Sequence, residues 1–187
     1  MARHLSPNPL AAHAFLNLLD PRGIFTFQTF DDDKDRKALS LARVLHGTLT
    51  QHAAALEKLQ QQGAGAFVMI NQGDGIIHEG EKTCRVTANV ISVRALWADL
   101  DGSPLQPVLD AHYPDIVVES SPGRWHTHWL TNDCPLADFK LRQKQIAAKF
   151  KGDPNVCDLP RVMRLPGFWH QKAEPFMTRM IFPKGTK

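Results

Sequence analysis

The chain is poor in cysteine and tyrosine and has no long apolar run. Its three cysteines, Cys84, Cys134 and Cys157, lie far apart with no C-x-x-C pair, which argues against a zinc ribbon and a disulfide framework. They read as buried or incidental thiols. No stretch approaches the roughly 18 to 20 apolar residues of a membrane span. His4, Asn8, His13 and Asn17 interrupt the N-terminal segment where a secretory signal would be apolar. The expectation is a cytoplasmic protein with no membrane partner. Tyr113 is the single tyrosine, which limits any mechanism that needs a tyrosine nucleophile.

What is present suits one folded unit. A chain of 187 residues with 43% hydrophobic content can bury a real core, and no internal repeat or low-complexity linker divides it. A single domain over 1–187 is expected, with a helical segment at about 9–20. The net charge of +3 hides an imbalance: residues 122–187 carry 12 Lys and Arg against 5 Asp and Glu, whereas residues 1–121 are acidic. A basic final third favours an anionic partner such as nucleic acid or a nucleotide phosphate.

Local patterns mix helices and strands. PLAAHAFLNLLD (9–20) reads as a helix with Pro near its start, and GIFTFQTF (23–30) alternates as a strand. In 31–65, Leu39, Ala42, Leu45 and Leu49 fall at helical spacing before Gly63, so a helix is expected, with Asp31, Asp32 and Asp33 favouring its N-terminus. AFVMIN (66–71) and RALWAD (94–99) read as strands, and residues 76–93 give no clear signal. DIVVESS (115–121) and RWHTHWLT (124–131) predict a hairpin across Pro122-Gly123. PLADFKLRQKQIAAKFKG (135–152) predicts an amphipathic helix with Leu136, Phe139, Ile146 and Phe150 inward. Residues 153–172 look irregular, and FMTRMIF (176–182) reads as a last strand. Predicted hairpins without strict βαβ alternation imply an α+β fold, helices against a largely antiparallel sheet.

Three segments carry candidate chemistry. In RALWADLDG, Asp99 and Asp101 share one strand face with Cα atoms roughly 6.7 Å apart, a spacing that lets two carboxylates converge on Mg²⁺ or Mn²⁺. The alternative is an Asp-Gly turn beside a solvated strand residue. In SSPGRWHTHWL, His126 and His128 share one face, with Trp125, Thr127 and Trp129 on the other. Imidazole can hydrogen-bond a phosphate oxygen, and Arg124 adds a fixed positive charge. In DPNVCDLPRVMRLPG, Asp153 and Asp158 precede Arg161 and Arg164. Simple ion pairs would explain them, or a third carboxylate could complete a metal site while Arg161, Arg164 and Lys172 contact phosphate.

In this order the three segments resemble the archaeo-eukaryotic primase superfamily, most closely the RepB-type primases of plasmids and phages. RALWADLDG resembles a hydrophobic strand ending in D-h-D, and SSPGRWHTHW a small residue followed by a strand His. VCDLPRVMRLPGFWHQK resembles a hydrophobic residue and Asp, then R-L-P-G and a downstream Lys. The likeness runs from about Phe25 to Lys172.

The resemblance implies an RRM-like sheet flanked by helices and a DNA primase or primase-polymerase. Such an enzyme makes primers on single-stranded DNA by metal-dependent nucleotidyl transfer in plasmid or phage replication. Asp99, Asp101 and Asp158 would be the catalytic acids holding two Mg²⁺ or Mn²⁺ ions, with Asp153 as an extra ligand. His126, with His128, Arg124, Arg161, Arg164 and Lys172, would bind the NTP or dNTP. The helix residues Lys140, Arg142, Lys144, Lys149 and Lys151 would track the template. With no zinc module or helicase motif in the sequence, the expectation is either a catalytic fragment of a longer replication protein or a minimal primase that works with a separate replicative helicase or origin-binding protein. Two other readings compete: a rolling-circle replication endonuclease of the His-hydrophobic-His type, with Tyr113 as nucleophile, and a catalytically inactive nucleic-acid-binding domain.

Overall fold

A computed structural model describes residues 5–181 of the chain. Asn8 caps the first helix, α1 (Pro9–Leu19), by accepting from the Ala11 N–H at 3.1 Å, and Pro stands where a helix start needs no N–H donor. The strand β1 (Phe25–Asp31) follows, and then β2 (Arg43–Gly47), not the expected helix. Leu39 to Leu41 make one 3₁₀ turn, leaving Leu39 exposed, and β2 pairs antiparallel with Phe25–Thr29 of β1.

The helix α2 (Leu49–Gln61) begins later because Thr48 and Gln51 form a capping box, a stop-and-start signal stronger than the leucine spacing. Gly47 fits this junction: a Cβ there would lie 2.5 Å from Gln51 Oε1. The acidic run is accordingly not a helix N-terminus. Asp31 ends β1 and accepts from Arg36 and the Ala38 N–H, Asp33 caps a turn, and Asp32 points inward.

The remaining elements are β3 (Ala64–Met69), β4 (Gln72–Gly73), β5 (Val90–Ser92), β6 (Ala95–Leu100), α3 (Gln106–Ala111), β7 (Ile116–Ser121), β8 (Arg124–Leu130) and α4 (Leu136–Phe150). The short strands β9 (Val162–Arg164), β10 (Trp169–His170), β11 (Phe176–Met177) and β12 (Arg179–Ile181) complete the described fold. Thus 153–172, expected to be irregular, contributes two short strands. The expected last strand is broken between Met177 and Arg179, and Phe182 lies outside the described residues.

Two four-stranded antiparallel sheets dominate, ordered β2-β1-β3-β9 and β12-β7-β8-β6, so the α+β, largely antiparallel expectation holds. One core joins them: Phe25, Phe27 and Val68 from the first sheet meet Ala95, Trp97 and Val118 from the second, with Phe15 and Leu16 of α1 and Phe139 of α4. Burying each such large apolar side chain contributes about 1.5–3 kcal/mol. On the other face of the second sheet, Ala98, Leu100, Val108 and Trp129 form a smaller cluster with Ile146 and Phe150. Apolar packing on both faces is why RALWADL is apolar almost throughout.

Helix α4 covers the free edge of β6. The Trp97 N–H donates to Gln143 Oε1 at 2.9 Å, and Gln143 Nε2 donates back to the Trp97 carbonyl at 3.2 Å, so a side-chain amide replaces a missing strand. Phe139 is fully buried as expected, but Leu136, at the first turn, is 38% exposed and does not join the core.

Candidate active site

The strands β6 and β8 pair in the register Asp99↔His126 and Trp97↔His128, which sets the first acid directly opposite the first histidine. His126 Nε2 lies 3.7 Å from Asp99 Oδ1. Asp101, at the strand end, contacts Arg124 across the same pair of strands. Gly102, at φ +92°, turns the chain away immediately afterwards, so the Asp-Gly turn and the paired carboxylates coexist.

These groups open onto a cleft of about 200 Å³ where the two sheets meet. The second sheet supplies Asp99, Asp101, Ser120, Ser121, Arg124 and His126, and the first supplies Phe67 and Val162 to Arg164. Arg161, His170 and Lys172 complete the rim. An adjoining basic groove continues past Arg124, His170 and Lys172 to Lys34 and Phe176. The predicted Asp99, Asp101, His126, Arg124, Arg161, Arg164 and Lys172 are therefore brought together.

Burial shapes the electrostatics. Desolvation pushes the Asp99 carboxyl up from its ordinary range, His126 opposes this, and Asp101 and Asp153 reinforce it. Burial pushes His126 down despite the neighbouring Asp99, favouring a neutral imidazole, and its Nδ1 is buried with no hydrogen-bond partner. His170 and Lys172 are both shifted down by burial and by the nearby Arg164. Such opposed shifts in one cleft are what acid-base and phosphate chemistry uses.

Other predicted residues sit elsewhere. His128 is fully buried against the Phe15 ring, 5.9 Å between centroids, and does not reach the cleft. Asp158 does not line the cleft either; its Oδ1 accepts from Arg161 Nε at 2.7 Å. Asp153 is nearer the acid pair, because its N–H donates to the Asp99 carbonyl at 3.0 Å. Among the described residues, no group of three or more His, Cys, Asp or Glu is gathered as a metal cage.

Lys140, Lys144 and Lys149 stand exposed on α4, while Arg142 reaches Asp138 at 3.6 Å and Lys151 forms the left-handed cap. Tyr113 borders a different depression with Leu18, Ile116 and Met180. Tyr113 does not line the cleft that holds His126.

Sequence reasoning did not single out Ser120, Ser121, Phe67, His170 or Asp32. Ser120 and Ser121 enter the cleft through a register shift between Glu119 and Ser121. His170 could have been flagged as a histidine two residues before Lys172. Phe67 and Asp32 carry no local signal, since their role comes from contacts with Arg164.

The family model described as the RepB DNA-primase N-terminal domain matches residues 31–180. Searched against curated proteins, the sequence finds no match. Among solved structures, the chain is similar to the AEP domain of the cyanophage S-2L primase-polymerase (PrimPol): TM-score 0.74, 18% identity, 97% of this chain and 93% of that one covered. It is also similar to primase RepB′, with TM-score 0.64, 19% identity, and 95% and 57% coverage. The catalytic domain of RepB′, solved in complex with initiator DNA, gives TM-score 0.62, 18% identity, and 95% and 85% coverage. These likenesses establish a shared fold. No helix of the described residues is long and apolar enough to cross a membrane. Given a family model that spans most of the sequence, the chain belongs to the RepB DNA-primase N-terminal domain family.

Proposed function

We propose that this domain is a template-dependent nucleotidyltransferase that makes or extends primers on single-stranded DNA, with Asp99 and Asp101 as its acid pair. The observation that carries the reading is the Asp99–His126 register beside Asp101 and Arg124, in a cleft that Arg161, Arg164 and Lys172 also line. An acid pair in a basic cleft suits a triphosphate together with a divalent cation.

Asp99 and Asp101 would hold Mg²⁺ or Mn²⁺. Oxygen donors fit these hard cations, and Mg²⁺ commonly takes one or two carboxylates and completes its shell with water and substrate phosphates. When bound, such a cation pair activates the primer 3′-hydroxyl and neutralises the departing pyrophosphate. Asp153, whose N–H donates to the Asp99 carbonyl, would add negative charge beside Asp99. Asp158 would join only when Arg161 exchanges its carboxylate for a phosphate oxygen.

Neutral His126 and His170 would hydrogen-bond phosphate oxygens, and Arg124, Arg161, Arg164 and Lys172 would neutralise the polyphosphate. His128 takes no part. The exposed Lys140, Lys144, Lys149 and Lys151, and Arg142 if it leaves Asp138, would follow the template backbone. The similar RepB′ domain solved with initiator DNA supports DNA as the partner. A separate helicase or origin-binding protein would bring the template.

The test is incorporation of labelled nucleotide on a circular single-stranded template with Mn²⁺ or Mg²⁺. Incorporation by the wild type, reduced by at least about 100-fold in Asp99→Asn and Asp101→Asn while both stay folded, is expected. Strand cleavage with covalent attachment at Tyr113 would replace the reading with a nuclease. DNA binding without either reaction would leave a passive module.

A further inference from the structure

We propose that Asp32 is a positioning residue for the nucleotide polyphosphate: it ties Arg164 to the backbone of Gln171 and thereby sets the places of His170 and Lys172 on the cleft wall. The inference rests on the nucleotidyl-transfer reading above. Asp32 is 1% exposed. Its carboxylate accepts from Arg164 Nη1 at 3.0 Å and Nη2 at 2.8 Å, and also from the Gln171 N–H at 2.8 Å. Its own N–H donates to the Gly63 carbonyl at 3.1 Å.

A bidentate pair fixes orientation as well as distance. Here it sets the Arg164 plane, which also lies 4.7 Å above the Phe67 ring. The third bond holds the segment after β10 to the same carboxylate. Gln60 grips that segment from α2: the Trp169 N–H donates to Gln60 Oε1 at 2.8 Å, and Gln171 Nε2 donates to the Gln60 carbonyl at 2.9 Å. His170, held between them, has Nδ1 3.0 Å from the Ser120 carbonyl. Gly65 leaves room for the pair, since a Cβ there would stand 2.6 Å from both Arg164 Nη1 and Asp32 Oδ1.

Stability alone does not explain a buried ion pair, because apolar replacements of the same shape often serve a fold as well. Its place beside the cleft does. Lys172 feels three like charges, Arg164, Lys34 and Arg124, and the Asp32 carboxylate opposes them. Asp32 thus lets the wall concentrate cations without driving Lys172 away from Arg164.

The experiment measures binding of a nucleoside triphosphate and of the matching monophosphate to the full chain, with steady-state incorporation kinetics alongside. Asp32→Asn should lose about tenfold in triphosphate affinity, with monophosphate affinity unchanged, KM raised and kcat little altered. Asp32→Glu keeps the charge for Arg164 and should show a smaller loss with the same selectivity; it decides the matter if Asp32→Asn does not fold. Unchanged triphosphate affinity, or an equal loss for both nucleotides, overturns the positioning role. A wild-type chain that neither binds nor incorporates nucleotide overturns the enzyme reading itself, and this inference with it.

Discussion

His126 and His128 project from the same face of β8, yet only His126 reaches the cleft, because His128 lies one pleat deeper, between β6 and the Phe15 ring of α1. Both ring nitrogens of His128 are buried without partners, and burial holds its pKa at about 3 instead of 6.5. Its folded value is depressed, so the stability linked to it is complete above 6.5 and is lost as pH falls toward about 3. His128→Leu should therefore keep incorporation, gain about 1 kcal/mol at neutral pH, and flatten the acid side of the stability profile. Urea unfolding from neutral to mildly acidic pH checks this. At this scale, Asp99, Asp101 and His126 were legible because strand alternation and the order of the three segments pointed to them. Asp32 was not legible: an acid in a D-D-D run resembles any solvated turn. Its partner Arg164 lies 132 residues away, a distance over which sequence pattern carries no register.

Between elements, the C-terminus of α4 meets β6 at backbone distance. A Cβ on Gly152 would stand 3.0 Å from the Asp99 carbonyl, the same oxygen that accepts from the Asp153 N–H at 3.0 Å. Ser103 Oγ donates to the Lys151 carbonyl at 2.6 Å, tying the loop after Asp101 to the same helix end. Gly152→Ala should thus press on the strand that presents Asp99. A stability loss of about 1–3 kcal/mol with a larger fractional loss of incorporation is expected, measured by denaturant unfolding and by nucleotide incorporation at saturating substrate. The β7–β8 hairpin was readable from Pro122-Gly123, and α4 from its amphipathic spacing. The segment after Asp31 was misread because Leu39, Ala42, Leu45 and Leu49 satisfy a helical period by coincidence. Strand pairing of Val44 and Leu45 with β1 and the Thr48–Gln51 box decide the outcome instead.

Over the whole molecule, the acid pair stands on one four-stranded sheet and Arg164 on the other, so the cleft exists only when both sheets share their core. Composition announced the basic final third but not where its charges would gather: Arg161, Arg164 and Lys172 line the cleft, whereas the lysines of α4 stay on an outer face. Those two groups should separate in experiment. Lys140→Ala with Lys144→Ala should weaken single-stranded DNA binding and reduce the salt slope by about 0.7 per lost phosphate contact, with nucleotide affinity unchanged. Titrations of a fluorescent oligonucleotide across a salt series measure it. The most direct test of the central claim is an electron paramagnetic resonance titration of Mn²⁺ against the full chain, with and without a nucleoside triphosphate. Tight Mn²⁺ binding that strengthens with nucleotide in the wild type and is lost in the Asp99→Asn, Asp101→Asn double variant is the predicted result. Equal Mn²⁺ binding by the wild type and the folded double variant would contradict it.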